Sequence, residues 1–329
     1  MLSFLSRWPL LGLLCAASCT APDSQSAAPP AMRPAHRVSP PPTLPRQATR
    51  FDSLTSTRQV QRLLRTLPGL FGIRLTDSLP QPCPGTLTCQ PPGRVAGWVR
   101  ADFDGNGRTD LLVTGTFLDG YSGRIVRVLL DSGQRRLHPQ ALGGYMGGCV
   151  AAQLVRVRQQ VGIRYAHQRY PPLRTPSSQL QPVCQVDTLL FHDGQLLEYN
   201  PAPRDYQIER VQYTSGACLG TCPIYTLTVA ANGTATYQAR AFVPRKGTFT
   251  AAVPAPVRQQ LWALLNYLDF PRLQNTYAVP VTDQITTTLL ITYAGGQTKT
   301  IVDYGQQGTL GLGRVYELLH QLRTSQRWQ

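Results

Sequence analysis

The apolar residues of the chain first recur at regular intervals near Ser56. Thr57 can cap a helix that Pro68-Gly69 ends, and the apolar residues that share one face are Val60, Leu63, Leu64 and Leu67. Beyond it the apolar runs are short, which favours strands, predicted at 95–101, 111–113, 125–130, 150–157, 162–166, 187–191 and 195–199. The last two are predicted to form a hairpin around His192-Asp193-Gly194, because Asp-Gly suits a tight turn. This half of the chain is therefore predicted to be mainly β with one leading helix.

The pattern changes after Pro201-Ala202-Pro203, where helical spacing joins the strands. Strands are predicted at 208–213, 224–230, 234–241, 287–293 and 297–302, with Asn232-Gly233 and Gly295-Gly296 as hairpin turns. Two helices, one opening at Pro256 and one over 310–322, carry apolar residues on one face. An antiparallel sheet covered by two helices follows, so the chain as a whole is predicted to have an α+β fold.

The N-terminal residues have the layout of a targeting segment. An apolar run, 8–17, follows Arg7 and is too short to cross a bilayer, which is typical of an export signal. The run ends in Ala16-Ala17-Ser18-Cys19, which resembles the lipobox of bacterial lipoproteins. The resemblance implies that Cys19 is lipidated and becomes the first residue of the mature protein. The alternative is an ordinary cleaved signal without lipid.

Residues 20–50 are rich in Pro, Ala, Ser and Thr, which cannot build a core, so we expect an extended tether. No Asp follows Cys19 directly, and by analogy with lipoprotein sorting this favours anchoring in the outer membrane. The predicted segments are a signal peptide at 1–19, the tether at 20–50, a mainly-β domain at 51–203 and an α+β domain at 204–329.

The formal net charge of +15 raises the question of nucleic-acid binding. The arginines, however, are scattered and form no run with aromatic residues between them, and an exported protein rarely meets nucleic acid. We therefore expect no nucleic-acid partner. The charge favours a solvated basic surface, with weak attraction to anionic lipid or polysaccharide as the alternative.

The cysteines predict disulfides, because an exported protein matures in an oxidising compartment. Besides Cys15 and Cys19 the chain has six cysteines: Cys83, Cys89, Cys149, Cys184, Cys218 and Cys222. Six cysteines allow about 15 pairings. Proximity in sequence favours Cys83–Cys89, Cys149–Cys184 and Cys218–Cys222.

The segment whose residue types imply a specific chemistry is 102–110, an acidic loop between two predicted strands. A hard dication such as Ca²⁺ binds several oxygen atoms at short range, and alternate residues of a tight loop can supply them. The candidate ligands are the side chains of Asp102, Asp104, Asn106 and Asp110 and the backbone carbonyl of Arg108. The spacing matches an EF-hand loop, but Val113 stands at the twelfth position and strands flank the loop, so an EF-hand is excluded.

Residues 101–112 resemble the FG-GAP or VCBS repeat of β-propeller and related extracellular proteins. The resemblance implies a loop that binds calcium between strands. We find one copy where that family repeats, so we expect a small domain with one structural calcium ion and no propeller. The alternative is an Asx-rich turn in which the Asp side chains accept backbone amides and hold no ion.

The segment from Cys218 to Pro223 resembles the Cys-x-Gly-x-Cys-Pro hallmark of an uncharacterised domain family of exported bacterial lipoproteins. The resemblance covers roughly residues 205–329. It implies a fold and an exported location, but it implies no activity. From the residues alone, Cys218 and Cys222 favour a structural disulfide. A redox pair is the alternative, although the spacing is longer than Cys-x-x-Cys and a strand follows.

The sequence contains no recognisable catalytic constellation. Asp283 and Asp303 could form a carboxylate pair, but we expect both to be exposed loop residues. The leading hypothesis is a lipid-anchored envelope protein that acts as a non-catalytic binding or scaffold module for an envelope protein or polysaccharide. The alternative is an envelope enzyme, either a hydrolase with a carboxylate site or a thiol oxidoreductase using Cys218 and Cys222.

Overall fold

Strands form most of the regular structure in the computed structural model, which describes residues 46–75, 96–117, 124–133, 136–143, 150–170 and 182–329. The predicted signal peptide, Cys19, most of the tether, and Cys83, Cys89 and Cys149 lie outside these residues. The strands are β1 (Ile73–Leu75), β2 (Trp98–Ala101), β3 (Asp110–Phe117), β4 (Arg124–Asp131), β5 (Leu137–Leu142), β6 (Ala151–Val157), β7 (Gln160–Arg169), β8 (Val183–His192), β9 (Gln195–Glu198), β10 (Ile208–Ser215), β11 (Ile224–Ala230), β12 (Thr234–Ala241), β13 (Gly247–Ala252), β14 (Thr276–Tyr277), β15 (Thr286–Tyr293) and β16 (Gln297–Tyr304). The helices are α1 (Thr57–Leu64), α2 (Ala255–Tyr267) and α3 (Leu310–Ser325), and a 3-10 turn covers Phe270–Arg272.

The predicted α+β class is wrong, because the described residues are mostly β. Strands make up 46% and helices 17%, with 16 strands in three sheets and three helices among the described residues. The apolar pattern of the sequence does not mark β1, β5, β13 and β14, each of which lies at the end of its sheet. An edge strand needs no continuous apolar run, and β5 even contains Pro139, which edge positions tolerate.

The first sheet has the order β1-β3-β4-β5, with β2 paired to β3 as well. Its central strands are buried on both faces. Leu111 and Val113 of β3 face a core shared with α1, while Leu112 faces the second sheet. This two-sided burial explains why β3 and β4 have continuous apolar runs instead of strict alternation.

The second sheet has the order β6-β7-β8-β9 and packs face to face on the first. Ile163 and Tyr165 of β7 and Leu189 of β8 supply its side of the shared core. The turn between β8 and β9 is Asp193-Gly194, with φ of 49° and 83°, as the sequence predicted for a tight hairpin.

The third sheet has the order β13-β12-β11-β10-β15-β16-β14, antiparallel except for β14 beside β16. One face is covered by α2 and α3, whose buried Leu261, Leu265, Leu312 and Leu319 belong to the same core as the strands. The predicted Asn232-Gly233 hairpin is confirmed and joins β11 to β12.

Strand β9 contributes to two cores. Its Leu196 lies in the core between the first two sheets, and Leu197 lies in the core of the third sheet. The described residues all belong to one compact unit. The boundary between domains at 203 and 204 stays a prediction.

Helix α1 begins with Ser56 as its cap instead of Thr57. The Ser56 hydroxyl accepts the Gln59 amide at 3.4 Å, and the Gln59 side chain accepts the Ser56 amide at 3.1 Å. This reciprocal pair satisfies two donors that the first helical turn leaves open. Thr57 instead accepts the indole N–H of Trp98 at 3.0 Å, which ties the helix to β2.

Candidate functional site

The acidic loop connects β2 to β3 and is closed at its base by the pairing of Ala101 with Asp110. Gly105 and Gly107 have φ of 72° and 81°, values that side chains with a Cβ rarely adopt. The two glycines let the backbone reverse sharply, so that residues far along the loop return toward Asp102.

Three predicted ligands are brought together. Asp102, Asp104 and Asp110 each place a carboxylate oxygen within 4.8 Å of the other two. Asp110 is fully buried, while Asp102 and Asp104 are partly exposed. Carboxylate oxygens at this range are the donor type that Ca²⁺ prefers.

The Asp102 and Asp104 carboxylates also shape the loop. Asp102 accepts the Asn106 amide at 3.1 Å with one oxygen and the Gly107 amide at 2.9 Å with the other. Asp104 accepts the Asn106 amide at 3.1 Å. These are the bonds expected of an Asx-rich turn, and because each carboxylate oxygen has a second lone pair they leave capacity for a cation.

The third carboxylate, Asp110, joins the loop to the neighbouring strand. One oxygen accepts the Phe103 amide and the other accepts the Asp131 amide, both at 2.8 Å. Burial, with the charges of Asp104 and Asp102 adding to it, raises the pKa of Asp110 to about 7. Burial also raises the pKa of Asp104 to about 6, with the Asp102 charge adding to it. The ionised forms of Asp104 and Asp110 are therefore disfavoured, mainly by burial and in addition by the neighbouring carboxylates.

The side chains of Asn106 and Arg108 bond other groups around the cluster, whereas the predicted ligand of Arg108 is its backbone carbonyl. The Asn106 amide group donates to Asp104 at 2.9 Å and to the Asp131 carbonyl at 3.0 Å, while its oxygen accepts the Arg108 amide at 2.7 Å. The Arg108 guanidinium turns away from the cluster and bonds Asp131 at 3.1 Å and Gln47 at 2.6 Å. It therefore neutralises Asp131 and leaves the charge of the three clustered carboxylates in place.

These residues fit a hard divalent cation. All the donors are oxygens, and three are carboxylates. Asp104 and Asp110 are easier to protonate than an isolated Asp, because burial first and the neighbouring carboxylate charges second disfavour their ionised forms. A bound cation would favour the ionised form of each carboxylate. The donor set lacks the sulfur and imidazole ligands that transition metals prefer.

The Cys218–Cys222 disulfide is confirmed, with Cα atoms 5.8 Å apart. It lies in the connection between β10 and β11, where Ser215 donates to the Pro223 carbonyl at 2.6 Å and Gly216 pairs with Thr286 at 2.9 Å. No helix of the described residues begins at this connection, whereas thioredoxin-like redox motifs place their Cys-x-x-Cys at a helix N-terminus. Cys184 is also disulfide-bonded, and its predicted partner Cys149 lies outside the described residues.

The expectation that Asp303 is an exposed loop residue is wrong. It lies in β16, fully buried, and its carboxylate accepts the amides of Gln307 and Gly308 at 2.7 and 2.9 Å and the Tyr316 hydroxyl at 3.2 Å. Asp283 is exposed. The two therefore lie in different environments, and the bonds of Asp303 are those of a carboxylate that holds a turn in place.

Comparison with known proteins identifies one family. Residues 209–323 match the family model described as domain of unknown function (DUF6438). This confirms that the C-terminal part of the chain holds an uncharacterised domain, over almost the range that the sequence predicted. No curated protein and no solved structure matches the chain. Within the described residues, every helix is too short or too polar to cross a membrane.

Proposed function

We propose that this protein is a lipid-anchored component of the cell envelope, a non-catalytic binding or scaffold module that is stabilised by one calcium ion. The observation that carries the calcium proposal is the convergence of Asp102, Asp104 and Asp110 within 4.8 Å in a strand-to-strand loop. The side chain of Asn106 and the carbonyl of Arg108 would complete the ligand set. In this role the ion holds the β2–β3 loop against Asp131 of β4 and takes no part in a reaction.

The proposed location in the cell envelope is based on the sequence. The export signal, the Cys19 lipobox and the Pro-rich tether are the layout of a bacterial lipoprotein, and the tether would let the folded residues stand away from the membrane. Outer-membrane anchoring is part of the same proposal. The partners would be the membrane, through the lipid, and an envelope protein or polysaccharide, with no nucleic acid.

Two experiments test the proposal. Titration calorimetry of the folded protein with CaCl₂ should give one site, with MgCl₂ as the control for a general ionic effect. Fractionation of cells that express the full chain should place the wild type in the membrane pellet and the Cys19→Ser variant in the soluble fraction. If the wild-type protein is found only in the soluble fraction, the proposed lipid anchor is contradicted. If the calorimetric titration with CaCl₂ shows no binding heat, the proposed calcium site is contradicted.

The competing function is a thiol oxidoreductase, and it predicts a different chemistry at Cys218 and Cys222. A redox pair must cycle between dithiol and disulfide at a physiological potential, whereas a structural bridge resists reduction. Equilibration of the native protein with glutathione buffers, followed by alkylation and mass spectrometry, separates the two. A pair that is reduced near the potential of the glutathione pool would overturn the non-catalytic proposal.

A further inference from the structure

A cavity of about 250 Å³ lies between the second sheet and the third, apart from the acidic loop. Strand β7 supplies Tyr165, His167 and Arg169 to its wall. The end of β14 and the segment after it supply residues 277–281, and Glu198 and Leu310 also line the cavity. A cavity of about 150 Å³ can hold benzene, so this one has room for on the order of ten non-hydrogen atoms.

The hydroxyl of Tyr165 is a buried polar group without a hydrogen-bond partner among the described residues. Tyr165 is 2% exposed, and burial raises its pKa, so the hydroxyl stays protonated and can donate. The ring stacks on His167 at 5.0 Å, and the hydroxyl lies where any side chain at position 143 would begin, which requires Gly143 there. A buried hydroxyl without a partner is rare in proteins and indicates a missing acceptor.

Arg169 brings positive charge to the same wall. Its guanidinium lies 5.2 Å from the centre of the Tyr277 ring, and none of the ion pairs of the described residues includes it. An arginine stacked on an aromatic ring keeps its edge N–H groups available, and the planar fork matches a carboxylate.

The acids at the cavity are already bonded to the protein. Glu198 accepts the backbone amides of Leu310 and Gly311 at 2.6 and 3.0 Å, at the start of α3. Asp187, next to the wall, bonds His167 at 2.8 Å and Gln185 at 2.8 and 2.9 Å. The hydrogen-bond donors available on the wall are therefore those of Tyr165 and Arg169. A ligand that binds them has to supply hydrogen-bond acceptors.

Apart from Gln168, Tyr170 and Gln307, the rest of the wall is apolar. It is formed by side chains from three parts of the chain: Val150, Tyr277, Ala278, Val279, Pro280, Val281 and Leu310. An apolar lining with a few convergent polar groups is the usual form of a small-molecule site. The apolar side would hold the body of a ligand while the two donors hold its polar end.

We propose that this cavity binds a small organic carboxylate with an aromatic or aliphatic body, with Arg169 and Tyr165 holding the carboxylate. The inference rests on the proposed role as a binding module and names a ligand class for it. It does not depend on calcium or on the lipid anchor, because none of the cavity residues belongs to the acidic loop or to the N-terminal segment.

The test uses 3-phenylpropanoate and hexanoate as probes, at pH 7.5 and concentrations up to 5 mM, with their neutral amides as controls. Binding to the folded protein is followed by saturation-transfer NMR and titration calorimetry. Both acids are expected to bind more tightly than their amides. Arg169→Gln should weaken binding at least tenfold, whereas Arg164→Gln, on the same strand but at an alternate position, should bind as the wild type does.

Tyr165→Phe separates a binding role from a structural one. Removing a hydroxyl that has no partner should leave the melting temperature without ligand unchanged or raise it, while binding of the acids weakens at least threefold. The inference is overturned if neither acid binds the wild type, if the amides bind equally well, or if Tyr165→Phe and Arg169→Gln bind as the wild type does. Calcium titration of the same samples keeps the two proposals apart, because either can fail while the other holds.

Discussion

Calcium bound at the acidic loop should raise the free energy of unfolding by an amount set by its affinity for the loop and its concentration. Extracellular calcium modules have Kd values near 10⁻⁴ M, so about 10 mM CaCl₂ is about a hundred times Kd. Binding at that ratio adds about 2.7 kcal/mol to the free energy of unfolding. A domain of this size gains about 2–4 °C per kcal/mol, so the melting temperature should rise by about 5–10 °C.

The perturbation that tests this is Asp104→Asn, which keeps the shape of the side chain and its acceptor oxygen but removes one charge. If affinity falls about a hundredfold, the same CaCl₂ adds only about 0.4 kcal/mol, and the shift falls to about 2 °C or less. Without calcium the variant should be as stable as the wild type or more stable, because the Asp104 carboxylate is held beside Asp102 and Asp110. A loop that is only an Asx turn predicts the same calcium response in both proteins.

Differential scanning calorimetry at pH 7.5 is the assay, in EGTA, in CaCl₂ and in MgCl₂ at the same ionic strength. The matched control is Asp283→Asn, which changes an exposed carboxylate outside the loop and should keep the full calcium shift. The reasoning is refuted if the wild type shows no shift, or if Asp104→Asn keeps the shift of the wild type.

Three further predictions follow from the same structure. Without calcium, the free energy of unfolding should fall as pH rises from about 4 to about 7. The reason is that Asp104 and Asp110, with pKa values of about 6 and about 7, bind protons in the folded state over this range, whereas they lose them at lower pH in the unfolded state. Urea titrations across this range should show the fall, and saturating CaCl₂ should remove most of it. Replacing Cys218 and Cys222 together by Ser should lower the free energy of unfolding by about 2 kcal/mol, the value for so short a disulfide loop, as measured by urea denaturation, and an unchanged midpoint would contradict a structural role. Glu198→Gln should cost about 1–3 kcal/mol, because one of the amides of Leu310 and Gly311 would then face an amide group and lose its acceptor; Glu317→Gln, an exposed change on α3, serves as the control in the same denaturation series.

The sequence predicted local features well where a short pattern decides them. Asp193-Gly194 and Asn232-Gly233 both form the hairpins that their dipeptides favour, because such turns depend on the conformational freedom of two residues. The convergence of Asp102, Asp104 and Asp110 was also predictable, since alternate residues of one tight loop meet without help from distant parts of the chain.

Features that depend on distant neighbours were not predictable in this way. Asp303 looked like a loop residue, but its burial depends on α3, which supplies Tyr316. The cavity combines Tyr165 and Arg169 of β7 with Tyr277, more than a hundred positions away in the printed sequence, so no local pattern marks it. The α+β prediction failed for a related reason, because short edge strands contribute to a sheet through pairing and not through an apolar pattern of their own.

Because β9 belongs to two cores, its detachment would couple the unfolding of the second and third sheets. Leu196 and Leu197 point to opposite sides of one strand, and each fills a different core. Burial of one leucine contributes about 2 kcal/mol, so detaching β9 would remove that contribution from both cores at once. A substitution that destabilises one core and detaches β9 therefore also destabilises the other core. The link between the second and third sheets is the four-residue strand Gln195–Glu198.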